Sequence, residues 1–184
     1  MIMRGRREER REERQTFGRG GDAVQYQMRQ KLVAIGDDFW IENSRGERTF
    51  KVDGKALRVR QTLIFEDAHG QELCKIQERM LRIKDTMEIE GPDGQTMATV
   101  KKALITPLRE RYTVNIGSGP DLEVQGNIVD HEYTIEEGRT KVAEVSKRWF
   151  RVRDTYGVEI APGQNDALIL AVTVCIDEMG HGGR

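Results

Sequence analysis

Nucleophiles, metal ligands and phosphate-binding cations are the residues from which chemistry could be read, and in this chain only the cations recur. His69, His131 and His181 fall in or near a turn, at a strand start and in a Gly-rich tail. None stands at zinc- or iron-ligand spacing from a Cys or a carboxylate. Gly117-Ser118-Gly119 lacks the strand–turn–helix setting of a nucleophile elbow and reads as a turn. No glycine-rich loop precedes a helix where it could cradle a phosphate. Asp37-Asp38, and Asp93 beside Gly94, read as turn residues rather than cation ligands. Cys74 and Cys175 sit far apart in apolar settings and read as reduced core thiols. No catalytic residue, cofactor or metal is expected, and the chain reads as non-enzymatic.

Basic pairs recur at Arg58/Arg60, Arg82/Lys84, Arg109/Arg111 and Arg151/Arg153. They belong to four copies of the pattern apolar-Arg-x-basic-x-Thr, over 57–62, 81–86, 108–113 and 150–155. Each copy opens the first strand of a hairpin or the strand before the C-terminal helix. In an up-and-down sheet those strands run in one direction, so all four pairs are expected toward one end. Lys101-Lys102 and Lys147-Arg148 close their own strands near that end. Such a basic arc would attract anionic head groups or another phosphate-bearing partner. The same residues also read as ordinary charged positions on a solvated face, paired across strands with Glu78, Glu110 and Glu144. A third reading is a scaffold whose hairpin tips bind a protein partner. The sequence leaves these alternatives open.

The elements that must carry these residues are strands. Apolar–polar alternation marks strands at 24–29, 39–43, 47–52, 57–66, 72–78, 81–90, 95–103, 108–116, 122–126, 131–136, 141–147 and 150–160. Gly, Pro, Asp and Asn supply the turns between most of them. One face of the resulting sheet is apolar and the other wet. A meander of about twelve strands is expected to close, because closure removes the open edges. Its interior exceeds what its own side chains fill, since about eight strands is where a barrel is just filled.

The filler is at 166–179. From Ala167 to Ile176 every residue but Thr173 is apolar, including Leu168, Ile169, Leu170, Val172, Val174 and Ile176. Asn165 or Asp166 can cap the start, and Gly180 is the expected stop. A helix of this length spans about 21 Å, short of the ~20 apolar residues of a bilayer crossing. Apolar on all sides, it is expected inside the barrel, leaving no polar site there.

The first 23 residues read as a charged tail and 181–184 as a short C-terminal one, with 24–180 a single barrel domain. Net charge is -1 with 33% charged residues, which argues against a nucleic-acid partner. The N-terminus has no apolar signal-peptide core, so a cytoplasmic location is expected. Oligomeric state is left open.

An ordered set of segments carries a resemblance. It runs from Tyr26-Gln27-Met28 through Gly36-Asp37-Asp38-Phe39-Trp40-Ile41, Gly126 and Tyr133-Thr134-Ile135. It continues through Val142-Ala143-Glu144-Val145-Ser146-Lys147 and Asp154-Thr155-Tyr156-Gly157-Val158 to the run 168–177. The chain resembles the LURP-one-related family, which shares the tubby C-terminal fold with tubby-like proteins and phospholipid scramblases. That resemblance implies a closed barrel of about twelve strands around a central helix. Tubby domains bind phosphoinositide head groups through basic residues on the barrel exterior, so the implied partner is an anionic membrane surface, met peripherally. No local motif here matches those lipid-binding residues. Long Cys-rich and Pro-rich segments, as in scramblases, are absent from this sequence, and scramblase activity is not implied.

Overall fold

The computed structural model describes residues 23–29, 38–54, 56–57, 60–78, 86–103, 110–150 and 154–181. Its strands are β1 (Val24–Arg29), β2 (Phe39–Asn43), β3 (Arg48–Asp53), β4 (Ala56–Leu57), β5 (Arg60–Asp67), β6 (Glu72–Glu78) and β7 (Thr86–Glu90). They continue as β8 (Thr96–Ala103), β9 (Glu110–Ile116), β10 (Leu122–Asn127), β11 (Glu132–Glu137), β12 (Thr140–Ser146) and β13 (Thr155–Ile160), before helix α1 (Asp166–His181). Each strand pairs antiparallel with its neighbour in the order β3-β2-β1-β13-β12-β11-β10-β9-β8-β7-β6-β5. β3 then pairs with β5, Val52 opposite Phe65, and the ring of twelve closes. The two-residue β4 pairs only with β5. Closure leaves no long edge to pair with another chain.

The two ends of the barrel differ. At the upper rim, tight turns join β2 to β3, β5 to β6 and β7 to β8, and all three share one backbone bond, from the Gly46, Gly70 and Gly94 N–H to Asn43, Asp67 and Gly91 O. Asn43 Oδ1 accepts from the backbone N–H of Arg45 and Glu47, Asp67 Oδ1 from His69 and Gln71, and Asp93 Oδ1 from Gln95. These bonds, Gln71's foremost, hold the Asp67 carboxyl below the usual range. Gly46, Gly70 and Gly94 follow at φ 76°, 81° and 78°, where a side chain would be strained. The ladder slips by one residue before each turn, at Ile41/Glu42, Phe65/Glu66 and Ile89/Glu90. At the lower rim the connections are longer. Residues 30–37, 79–85, 104–109 and 151–153, which lie between strand ends there, are outside the described residues.

Inward side chains make one core, including Ile41, Val52, Phe65, Ile76, Ile89, Val100, Val114, Val124, Ile135 and Val158, each 0% exposed. α1 runs through it from the upper rim to the lower. Asn165 is its cap, with Oδ1 accepting from the Leu168 N–H. Leu170, Val172, Val174 and Ile176 are wholly buried, Ile169 nearly so, and Leu168 is half-buried. The helix packs most closely on β6, β7, β8 and β13. Across the barrel, Tyr26, Phe50 and Phe65 form a chain of rings with centroids 5.8 and 5.4 Å apart. Large rings there fill width that the helix alone would leave empty.

Several expectations are corrected. α1 does not stop at Gly180 but runs through it to His181. The starts expected at 81 and 108, with residues 58–59 and 151–153, lie outside the described residues; the described strands there run from Arg60, Thr86, Glu110 and Thr155. The strand expected to end at Lys147 ends at Ser146, and Lys147–Trp149 is a 3-10 turn. The outer face is also not wet throughout. Thr62, Thr86 and Thr155, the last residues of three repeat copies, are buried, as is Glu159 on the outer side of β13.

Candidate functional site

Two places gather polar chemistry, and both lie at the lower end. The first is the outer rim. β5, β7, β9 and β13 do run in one direction, so the strands entered by the four repeat copies all start there. Of the expected arc, Arg58, Arg82, Lys84, Arg109, Arg151 and Arg153 lie outside the described residues. Arg60 is the first residue of β5, with nothing described of its side chain. Lys101 and Arg111 are exposed on β8 and β9. Among the described residues, no carboxylate oxygen lies within 4.0 Å of the charged side-chain nitrogens of Lys101, Arg111 or Lys147.

Lys102 behaves differently. It shares the inward register of Tyr112, its Nζ lies 2.7 Å from Glu110 Oε1, and it stands 5.8 Å over the Tyr112 ring. Its charge is largely neutralised, as the solvated-face reading expects. Glu144 likewise is taken up by Lys141 at 2.6 Å, while Glu78 is an exposed end of β6. The described members of the arc besides Arg60 and Lys102 are Lys101, Arg111, Lys147 and Arg148.

Lys147 and Arg148 stand on a built turn. Glu132, the first residue of β11, pairs with Ser146, the last of β12. Its carboxylate accepts from Ser146 Oγ at 2.9 Å and from the Lys147 N–H at 3.2 Å. Ser146 Oγ in turn accepts from the Arg148 N–H at 3.1 Å. Arg148 then points outward, its side chain 83% exposed and its Nε 3.6 Å from Glu132. Trp149 and Phe150 fold back over Gly157, where an added Cβ would lie 2.6 Å from either ring. Only glycine at that position lets the turn lie flat on β13.

The second place is inside, where sequence reasoning expected nothing polar. Asp177, near the end of α1, is 4% exposed. Its Oδ2 accepts from the Tyr156 hydroxyl at 2.6 Å and its Oδ1 lies 2.7 Å from His131 Nε2. The His131 ring stacks on Tyr156 with centroids 4.3 Å apart. Tyr133 and Tyr156 are pushed well above the usual tyrosine range, by burial first and the Asp177 charge second. His131 takes φ 51° to bring its ring inward. The cluster fastens three elements at once: the turn before β11, the start of β13 and the end of α1. It is closed to solvent, so its role is to seat the helix. A helical acid before Glu178 and a histidine after Asp130 look like surface residues in sequence, and nothing in their spacing joins them.

Among the described residues, no group of three or more His, Cys, Asp or Glu is placed to hold a metal ion. Cys74 and Cys175 are both buried free thiols. Burial pushes Cys74 up to about 12 and Cys175 well above the usual thiol range, so neither is a ready nucleophile. Among the described residues, no helix is long and apolar enough to cross a membrane.

A twelve-stranded antiparallel barrel closed on its own C-terminal helix is the tubby-type architecture. Within that class, the chain belongs to the LURP-one-related family, whose model matches residues 24–177. It is similar to the uncharacterized protein YxjI of Bacillus subtilis (strain 168), 25% identical over 150 residues, covering 82% of this chain and 90% of that one. A crystal structure of an Arabidopsis thaliana protein superposes with a TM-score of 0.66 at 18% identity, covering 87% of this chain and 93% of the other. That likeness is one of fold.

Proposed function

We propose that the chain is a binding module that docks on anionic phospholipid, or on another phosphate-bearing ligand, through the lower rim of the barrel. The observation that carries this reading is the charge difference between the two ends. In the sequence, the segments between strands whose described ends meet at the lower rim include eleven Lys or Arg against five Asp or Glu. The turns of the upper rim, with the link to α1, hold two against three. A net charge of -1 for the chain therefore hides an uneven distribution along the sequence. Lys101, Arg111, Lys147 and Arg148 are described members of the basic end. Docking of this kind makes the protein a peripheral one, bound by charge.

Co-sedimentation with vesicles of increasing acidic lipid content tests it. Bound fraction is expected to rise with acidic lipid and fall with added salt. Each rim cation contributes about 1 kcal/mol near an anionic surface, so Lys147→Gln with Arg148→Gln is expected to weaken binding at least about tenfold. Binding indifferent to lipid charge and to salt would sink the reading.

A further inference from the structure

We propose that the occupant of the lower rim is a lipid bilayer, entered by the turns at 128–131 and 147–150, with the C-terminal end of α1 facing the membrane. The inference rests on the docking function above and adds the occupant, the inserted residues and the orientation.

The two turns are neighbours, because β11 pairs with β12 through Glu132 and Ser146. Both are held from behind. The first is closed by the His131 N–H bonding to Ile128 O at 3.0 Å and by the Asp130 N–H bonding to Asn127 Oδ1 at 3.1 Å. Ile128 is buried beside Gly180, and His131 is anchored on Asp177. Val129 between them is nonetheless 61% exposed, one of two large apolar residues so exposed among the described residues. The second turn presents Lys147 and Arg148 with Trp149 and Phe150 half-buried beside them. One exposed valine is unremarkable alone. Here it stands on a fixed turn next to two cations and two aromatics, the mixture that sits at a headgroup boundary.

Composition separates the ends further. The described turns at 128–131 and 147–150 contain Ile128, Val129, Trp149 and Phe150, whereas the upper turns contain no Val, Ile, Leu, Met, Phe or Trp. A cationic end alone would suit any polyanion. An end both cationic and apolar suits a bilayer, which offers charge at its surface and hydrocarbon beneath. A soluble phosphate is served instead by converging, sheltered donors, whereas Lys101, Arg111 and Arg148 are exposed. Asp130, the acid beside Val129, is turned into a bond from Asn127 Nδ2 at 2.6 Å.

The test uses tryptophan emission on the full chain. Of its two tryptophans, Trp40 lies on the β2 wall under Arg48, so Trp40→Phe leaves Trp149 as sole reporter. With phosphatidylserine-containing vesicles, Trp149 emission is expected to shift blue and to be quenched by lipids brominated in the acyl chain. Val129→Asp is expected to weaken vesicle partitioning about tenfold, with the thermal midpoint unchanged. Salt-sensitive vesicle binding with Trp149 unquenched and Val129→Asp without effect would overturn insertion while leaving charge docking intact. No binding to any vesicle removes the membrane reading altogether, and calorimetric binding of inorganic phosphate in that case would assign the rim to a soluble anion.

Discussion

Replacing Asp177 by alanine removes the acceptor shared by Tyr156 and His131, both 0% exposed. Each buried group left without this partner costs about 1–3 kcal/mol, and there are two. The expected loss is therefore about 4 kcal/mol, a large part of the roughly 5–15 kcal/mol that holds a domain folded. For a chain of this size each kcal/mol moves the thermal midpoint by roughly 2–4 °C, so Asp177→Ala is expected to lower it by on the order of 10 °C. Asp177→Asn keeps an acceptor for the Tyr156 hydroxyl and is expected to lose only about 1–2 kcal/mol. Tyr156→Phe removes one hydroxyl and is expected to lose about 1 kcal/mol. Urea unfolding of the two single variants and of Asp177→Ala with Tyr156→Phe closes a cycle. The double variant is expected to fall short of the sum by about 1 kcal/mol, because Tyr156 has no partner left to lose. A midpoint shift under about 3 °C for Asp177→Ala, or strict additivity in the cycle, would refute the seating of the helix by this cluster.

Leu170→Asp puts a charge at a wholly buried position in the middle of α1 and is expected to abolish cooperative unfolding; normal circular dichroism and a normal midpoint would contradict the central helix. Gly126 has φ 143°, and a Cβ there would lie 2.5 Å from Glu132 O and 2.7 Å from Tyr133 Cα. Gly126→Ala is accordingly expected to cost at least about 2 kcal/mol by urea unfolding, more than a strand glycine otherwise would. Alkaline pH supplies another test through Tyr133 and Tyr156, both raised by burial. Above about pH 10 the unfolded tyrosines lose protons that the folded ones keep, so their contribution is intact below that pH and lost as pH rises past it. Tyrosinate absorbance is expected to appear together with unfolding, and its full appearance in a folded chain would be the contrary result.

Much of the barrel is legible because hairpins are written locally. Asn43, Asp67 and Asp93 with their following glycines mark the upper turns within a few residues. Apolar alternation then fixes which side of each strand faces in. The helix is legible because an unbroken apolar run has only one environment open to it. The lower rim is harder to read. There residues 58–59, 81–85 and 108–109 of the apolar–basic copies lie outside the described residues. Thr62, Thr86 and Thr155 look like solvent-facing residues and are buried. The common direction of β5, β7, β9 and β13 is legible, since strand polarity follows from counting hairpins. The ion pair of Lys102 escapes, because whether a lysine meets Glu110 depends on which face the register gives it. The Asp177–His131–Tyr156 cluster is beyond sequence: its partners come from α1, a turn and β13, and only closure of the sheet brings them together.

That closure bears on how the domain is made. Every strand leaves the ribosome before the helix that they enclose. β1 finds its second partner in β13, the last strand made. Until then the growing sheet has an apolar face with nothing to cover it and two open edges, the state in which chains aggregate or recruit chaperones. Half a barrel has no core of its own, so maturation is concentrated in a single late event, the entry of α1 as the sheet shuts around it. A nascent chain paused before residue 166 would present the barrel's interior to the cell.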